Sequence, residues 1–493
     1  MNKASESKTD ISALKESERY KYYISRIKRS GAYYKAFEKA CKKLGKDQGN
    51  DLRENLSEKE LLSTKLYLMC FAPVIISFVK YVLTDAESKG IKRLYFLSRD
   101  GYQMYLAAQK VKEIYGSDIE LKYLNVSRFS MRVPGYKLDI DSAVESLCTG
   151  GIDVTAKRVV RRSGISDEEC ETVLKETGLY ENRDRILNYR EIIALKDLLK
   201  GSTTLKESML RLSDEAYGPA TSYLAQEGLL EGKSALVDSG WVGTQQEAIL
   251  RLLKSINKDA DLCGYYFGMY EYPEDVRRDK DARDKYKTFY FSPKKGLRRK
   301  VRFSNSLFEA VVTSDEGMTV GYKEENESYV PVKKEQVEDT GLLNGDKAQA
   351  KEDATNTEIV EINLRALKYL LEELEPDALT NLPDIKDTLG VFMSHPTEIE
   401  LACYGDIEFS DDILDGNMKK IAADLTAQEI WDQRFFNKLK IIKGKIKREI
   451  KESGWLEGSA VKRSLADESF NAKEELIHIR FYKCLIYLRK TVK

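Results

Sequence analysis

Two stretches of this sequence gather acids, hydroxyls, glycines and an arginine where a strand pattern gives way to a helix pattern. The first is Leu97-Ser98-Arg99-Asp100-Gly101-Tyr102. The second runs from Val237 through Asp238, Ser239, Gly240, Trp241, Val242, Gly243 and Thr244 to Gln245. Glycines let backbone N–H groups converge on an anion, hydroxyls add donors, and the positive end of the following helix favours negative charge. Ser239, Gly240, Gly243, Thr244 and Gln245 are therefore candidates for holding a phosphate. In the first stretch Gly101 permits a tight turn and Ser98 is a donor. Arg99 can grip phosphate oxygens bidentately, and Asp100 can hold Mg²⁺ or a sugar hydroxyl. Either turn alone serves equally well as a plain strand-to-helix connection, and Arg99 with Asp100 as a surface ion pair. Two such turns in one sheet favour a shared anionic ligand.

Ligands of open α/β sheets bind outside the carboxyl ends of the strands, so both turns require a parallel sheet. "KRLYFLS" reads as a buried strand and "IELKYLNVS" as the next strand, on either side of the helix "GYQMYLAAQKVKEIYG", a βαβ unit. The rhythm returns with the strand "SALVDS", the helix "GTQQEAILRLLKSI" and the strand "LCGYYFGMY". The expected architecture is α/β, with a Rossmann-like parallel sheet. A helical N-terminal region covers 1–88, the first half of the core 89–139, a helical insertion 140–231 and the second half 232–330. A linker follows over 331–357 and a helical C-terminal region over 358–493. Within the insertion, Ser166 and Glu169 predict a capping box. "FSNSLFEAVV" predicts a helix and "KEENES" a hairpin turn. Asn437 to Trp455 reads as one basic amphipathic helix, whose ordinary use is a solvated face and whose less common use is an anionic membrane surface.

Lys plus Arg and Asp plus Glu both number 81, a balance unlike that of a general nucleic-acid binder. Seven scattered cysteines without a Cys-x-x-Cys pair, and only two histidines, argue against a disulfide scaffold or a zinc site. The apolar run Leu66 to Val79 holds Pro73 and 14 uncharged residues. It predicts a buried helix rather than a membrane span. A cytoplasmic chain is expected, with contact at the inner face of the membrane left open. Walker, Gly-x-Gly-x-x-Gly and Asp-x-Asp motifs are missing at the strand ends. Arg128 and Arg132 follow the second strand and could hold a diphosphate. Lys294, Lys295, Arg298, Arg299, Lys300 and Arg302 form a basic run suited to an anionic partner or to a solvated loop. Glu309 lies inside an apolar run, where a carboxylate is usually paired if buried.

"LYFLSRDGY" and "LVDSGWVGTQQ", with "SRFSMRVP" between them and "LFEAVVTSDEGMTVGY" after, resemble a family encoded in bacterial polysaccharide gene clusters. Its members often stand beside or fused to haloacid-dehalogenase-like phosphatase modules. The part lacking phosphatase motifs resembles phosphoribosyltransferase-type ribofuranosyltransferases, and the likeness spans roughly Leu66 to Tyr322. It implies a phosphoribosyltransferase-like sheet and transfer of ribose 5-phosphate from phosphoribosyl diphosphate (PRPP) to a glycan or lipid-linked glycan acceptor. The product would be a β-ribofuranoside of a capsule or O-antigen, with a phosphatase as partner. It further implies Mg²⁺ at Asp100, ribose contacts from Asp238, and phosphate contacts from Ser239 to Gln245, including Trp241. The family motif carries two neighbouring acids, whereas here Val237 precedes a single Asp238, which leaves the missing role to Asp100 or Glu309. Asp100, Asp238 and Glu309 are thus the candidate catalytic residues of a pentosyltransferase. The alternatives are a haloacid-dehalogenase-type phosphohydrolase and a non-catalytic interaction protein of polysaccharide assembly.

Overall fold

The computed structural model describes residues 11–46, 56–334, 349–384, 387–410 and 418–492. Five parallel strands form the central sheet: β1 (Arg93–Leu97), β2 (Glu120–Leu124), β3 (Ser234–Trp241), β4 (Cys263–Met269) and β5 (Tyr286–Phe291). Their order is β2-β1-β3-β4-β5. The chain steps from β1 to β2 on one side, then returns past β1 to β3 on the other. That reversal opens a crevice at the carboxyl ends of β1 and β3, the ligand position of doubly wound sheets.

Both faces of the sheet are covered, which is why its central strands read as unbroken apolar runs. Side chains alternate across a strand. Leu94, Phe96, Ala235 and Val237 join the core built with the helices Ala72–Ser88 and Tyr102–Tyr115. Tyr95, Leu97 and Leu236 point the other way, against Tyr223 and Leu224 of the helix Thr203–Gln226 and Ile249 and Leu253 of the helix Thr244–Ile256. The strand β5 was not anticipated. It follows the charged stretch 271–285 and forms an edge, and its middle residues are only half-buried.

The region 140–231 is helical and has its own core, in which Val144, Val159, Val173 and Leu195 meet. Ser166 and Glu169 form the expected capping box, with reciprocal bonds of 3.2 and 2.9 Å. Its last helix does more than insertion duty. Thr203–Gln226 buries Leu205, Met209 and Leu212 in the insertion core, while Ala220, Tyr223 and Leu224 cover the sheet. At 1.5 Å per residue these 24 residues span about 36 Å, long enough to serve both.

Elsewhere the elements differ from the sequence pattern in instructive ways. The buried stretch near Leu66 is two helices, Glu58–Cys70 and Ala72–Ser88, broken at Phe71, beside a proline that cannot donate. Taken together, Glu58–Ser88 is 31 residues, long and apolar enough to cross a membrane, whereas the uncharged run alone looked too short. In this fold 83% of its apolar window is buried in the protein, as a core helix would be. The hairpin around "KEENES" forms as expected, from β6 (Thr319–Glu325) and β7 (Ser328–Lys333). Of the expected linker, the start belongs to β7, residues 335–348 lie outside the described ones, and Gln349–Glu372 is a helix.

The expected helix Asn437 to Trp455 is contradicted. The helix is Phe435–Ile442, and it stops in a Schellman motif. Gly444 adopts φ 69°, its N–H bonds the Ile441 carbonyl, and the Lys445 N–H bonds the Lys440 carbonyl. A left-handed residue is needed there, and glycine supplies it without strain. Beyond it the chain runs irregularly to Trp455, which is fully buried and donates its indole N–H to the Met393 carbonyl at 2.6 Å.

Candidate functional site

The first turn leaves β1 at Leu97. The Ser98 hydroxyl is committed to the neighbouring β2 end, donating to the Val126 carbonyl at 2.5 Å and accepting from the Val126 N–H at 3.1 Å. Arg99 sits at φ 70°, a left-handed conformation that costs a branched or long side chain on the order of 1–3 kcal/mol. Its N–H is held by the Tyr123 hydroxyl at 2.9 Å. Gly101 packs so tightly on the strand it leaves that a Cβ would fall 2.3 Å from the Leu97 carbonyl oxygen. The helix Tyr102–Tyr115 begins immediately after.

The second turn is built differently. Ser239, Gly240 and Trp241 belong to β3, still paired with β4 through Gly240 to Gly268 and Trp241 to Met269. The strand reaches further than "SALVDS", and only Val242 and Gly243 connect it to the helix. Gly240 and Trp241 have φ 108° and 72°, so the strand ends in a second left-handed kink. The Ser239 and Gly240 amides lie beside the Asp238 carboxylate and draw its pKa down against the effect of burial. Gln245 is engaged, donating to the Ser127 carbonyl at 3.0 Å and tying this turn to the end of β2. Gly243, at φ 79°, caps the helix, and Thr244 stands exposed at its first residue.

The two turns meet. Ser239, buried, donates its hydroxyl to Asp100 Oδ2 at 2.6 Å, across 139 positions of sequence. The Trp241 indole N–H donates to Glu309 Oε1, from the helix Asn305–Val311. The Trp241 ring is packed among Tyr270, Phe291, Phe303 and Phe308, with ring centroids 5.3–6.4 Å away. Asp100, Asp238 and Glu309 thus share one recess, each retaining some exposed surface.

Their electrostatics are those of a crowded acid group. Burial, then the Asp100 charge, pushes Asp238 up to about 7. Burial, then the Asp100 charge, pushes Glu309 up to about 8, against the pull of Arg128 and the Trp241 bond. Burial also raises Asp100, opposed by the Ser239 hydrogen bond and the charges of Arg99 and Arg128. Like charges in a shallow-dielectric recess cannot all ionise together, so the three titrate as one unit. Arg128 bears on all three acids from the first turn of the helix Arg128–Gly135. Arg132 lies a turn further on, its Nε 3.4 Å from the Arg128 carbonyl and its charge beside the buried Tyr136.

Among the described residues, no three His, Cys, Asp or Glu side chains are grouped so as to hold a metal ion by themselves. Mg²⁺ is usually held by one or two carboxylates together with phosphate oxygens and water. The mutual repulsion of Asp100 and Asp238 is what a cation would relieve, so these residues fit that mode of binding.

Sequence patterns did not single out the residues that hold the turns in place. Gln103, fully buried, accepts from the Tyr67 hydroxyl at 2.8 Å and donates to the Val311 and Thr313 carbonyls at 2.9 Å, fixing the end of the Glu309 helix. Gln246, equally buried after the second turn, donates to the Leu262 carbonyl and accepts from Tyr266 at 2.7 Å. Each is a polar residue on an otherwise apolar helix face, and that was the available signal. In the basic run, Lys300 is buried with Nζ on the Pro293 carbonyl, and Arg299 bonds the Tyr290 carbonyl over that ring. Arg298 stands 3.7 Å from Asp387. Compared with models of known protein families and with curated proteins, the chain has no match in either.

Proposed function

We propose that the recess is the active site of a pentosyltransferase that takes a ribosyl donor carrying a diphosphate at C1, PRPP, and passes ribose 5-phosphate to a sugar hydroxyl. The single observation that carries this reading is the Ser239–Asp100 bond, which joins the two turns at the carboxyl edge of β1 and β3. The resemblance to phosphoribosyltransferase-type ribofuranosyltransferases, and a parallel-sheet edge that carries a carboxyl group beside arginines, support the same reading.

In the reaction the bond from C1 to the diphosphate oxygen breaks, and the diphosphate leaves with the electron pair. Positive charge builds on the ribose ring, as in other oxocarbenium-like transfers. The negative charge of Asp100 and Asp238 would stabilise it, and Arg99 and Arg128 would meet the departing phosphates. Mg²⁺, when bound, neutralises diphosphate charge, with Asp100 and Asp238 as the residues that would hold it. The acceptor oxygen bonds C1 from the opposite face. Its proton passes to the Asp100–Asp238–Glu309 group, which exchanges protons near neutral pH. Exposed Thr244 and the start of its helix suit the 5-phosphate. A dehalogenase-type nucleophile would need a second acid two residues after Asp100, where Tyr102 stands.

PRPP with Mg²⁺ is expected to raise the melting temperature of the wild-type chain, and diphosphate is expected to appear only when a sugar acceptor is added. Asp100→Asn is expected to lower that release by roughly a hundredfold or more. Absence of both the shift and diphosphate release across a panel of acceptors overturns the proposal.

A further inference from the structure

Six of the exposed large apolar side chains fall in the last 63 residues, and four of them gather on two neighbouring elements. The helix Ala472–Val492 buries Leu476 and Ile479 but leaves Ile477, Phe481 and Leu488 exposed at 59%, 49% and 44%. At 3.6 residues per turn these three fall within roughly 40° of arc, a stripe about 16 Å long. The half-buried Cys484 lies on the same line. Phe435 joins the stripe to a second element, its ring 6.4 Å from Phe481 and 5.2 Å from Phe436. Phe436 is 67% exposed.

Beside this stripe basic side chains outnumber acids, and the half-exposed Glu474 on the same helix is paired with Arg434. Residues 437–451 hold seven basic side chains and one acid, in a chain whose formal net charge is zero. Three of the seven are used at home: Lys438 with Glu452, Arg448 with Asp432 and Lys451 with Glu429, each at 3.0 Å. Lys440, Lys443, Lys445 and Lys447 are exposed, and no ion pair of theirs exists among the described residues. Lys440 follows Phe436 by four positions on the short helix and shares its face, and Lys443 stands just past the helix end.

We infer that this face docks onto an anionic lipid bilayer, with the Ile477–Phe481–Leu488 stripe and Phe436 entering the headgroup boundary and the free lysines meeting lipid phosphates. Exposed aromatic and aliphatic side chains flanked by unpaired lysines are the composition of an interfacial surface. A second copy of the chain fits less well. A two-fold contact places the same patch on both partners and would set lysines against lysines. A nucleic acid would satisfy the lysines and leave the apolar stripe in water. The inner side of the same helix reaches the recess, since Tyr487 stacks on Tyr270 at 4.9 Å and Tyr270 lies against Trp241. Docking would therefore hold the carboxyl recess close to the membrane. That consequence rests on the proposed function, whereas the docking itself does not.

The test is sedimentation of the full chain with vesicles of phosphatidylcholine alone or mixed with phosphatidylglycerol. Wild type is expected to sediment with the mixed vesicles only, and less so as salt rises. The paired substitutions Lys440→Glu with Lys443→Glu, and Ile477→Ser with Phe481→Ser, are each expected to weaken binding about tenfold or more. Both pairs are at exposed positions, so melting temperatures should stay near wild type. If one pair does unfold the chain, the other still reads the surface. The inference is overturned if wild type ignores the mixed vesicles, or if both folded variants bind them as well as wild type does. It is also overturned if Ile477→Ser with Phe481→Ser only abolishes a concentration-dependent dimer, or if duplex DNA, and not vesicles, binds through the lysines.

Discussion

The two glycine-containing turns look like one design used twice, yet they solve different problems. The first is a backbone problem. Gly101 lies against the Leu97 carbonyl, Arg99 is held left-handed, and the result is an acid and a cation displayed at the strand end. The second is a hydrogen-bonding problem. The strand continues through Trp241, the Ser239 hydroxyl is given to Asp100 and the Gln245 amide to the Ser127 carbonyl. A glycine-rich turn therefore supplies anion donors only if its own side chains have not already claimed them. Here the donors still open to a ligand include the Arg99 and Arg128 guanidiniums, the Thr244 hydroxyl and the start of its helix.

Gly101→Ala should separate the two turns most sharply. Its Cβ would meet backbone, which cannot move aside, so a loss of roughly 4 kcal/mol or failure to fold is expected, read by urea unfolding. Gly243→Ala meets the Tyr286 ring at 2.7 Å and a positive φ, and should cost about 1–2 kcal/mol because a ring edge can shift. Equal losses would mean the turns are built alike after all.

Acid linkage offers the next comparison. Asp238 and Glu309 bind protons more tightly in the folded chain than the ordinary carboxylate does. Their contribution to stability is therefore fully present below about pH 4, the unfolded carboxylate range, and is lost as pH rises through about 7 and 8. The melting temperature of wild type should fall between pH 5 and 8. Glu309→Gln should flatten that slope, and a slope unchanged in this variant would remove Glu309 from the acid group. The smallest effect is expected at Gln245→Ala, which loses one neutral hydrogen bond to the Ser127 carbonyl. About 1 kcal/mol of stability should go, with no change in the pH slope.

Much of the sheet was legible because its causes are local. Leu94 to Leu97, Ala235 to Val237 and Gly264 to Phe267 are apolar runs bounded by charge or glycine, and such runs have few alternatives. β5 was missed because Lys287 and Thr288 interrupt its apolar character at a sheet edge, where one side needs no cover. The overlong helix at Asn437 failed for a different reason. Basic and apolar residues kept their period past Gly444, but the glycine offered a left-handed stop that satisfied the last carbonyls. The type of Gln245 suggests a phosphate donor, and type does not reveal a partner 118 residues away.

Taken alone, the sequence determined that strands and helices alternate around these turns, which turns carry acids and glycines, and that Glu309 sits in an apolar helix. These follow from steric and hydrophobic preferences acting over a few residues. Only the tertiary structure decided that Asp100, Asp238 and Glu309 share one recess, and that Ser239 answers Asp100. It also decided that Phe436 and Phe481 lie on one surface. Those contacts depend on strand order and on how helices cover both faces of the sheet. The packing energy that settles them is summed over the whole core, and no local stretch contains it.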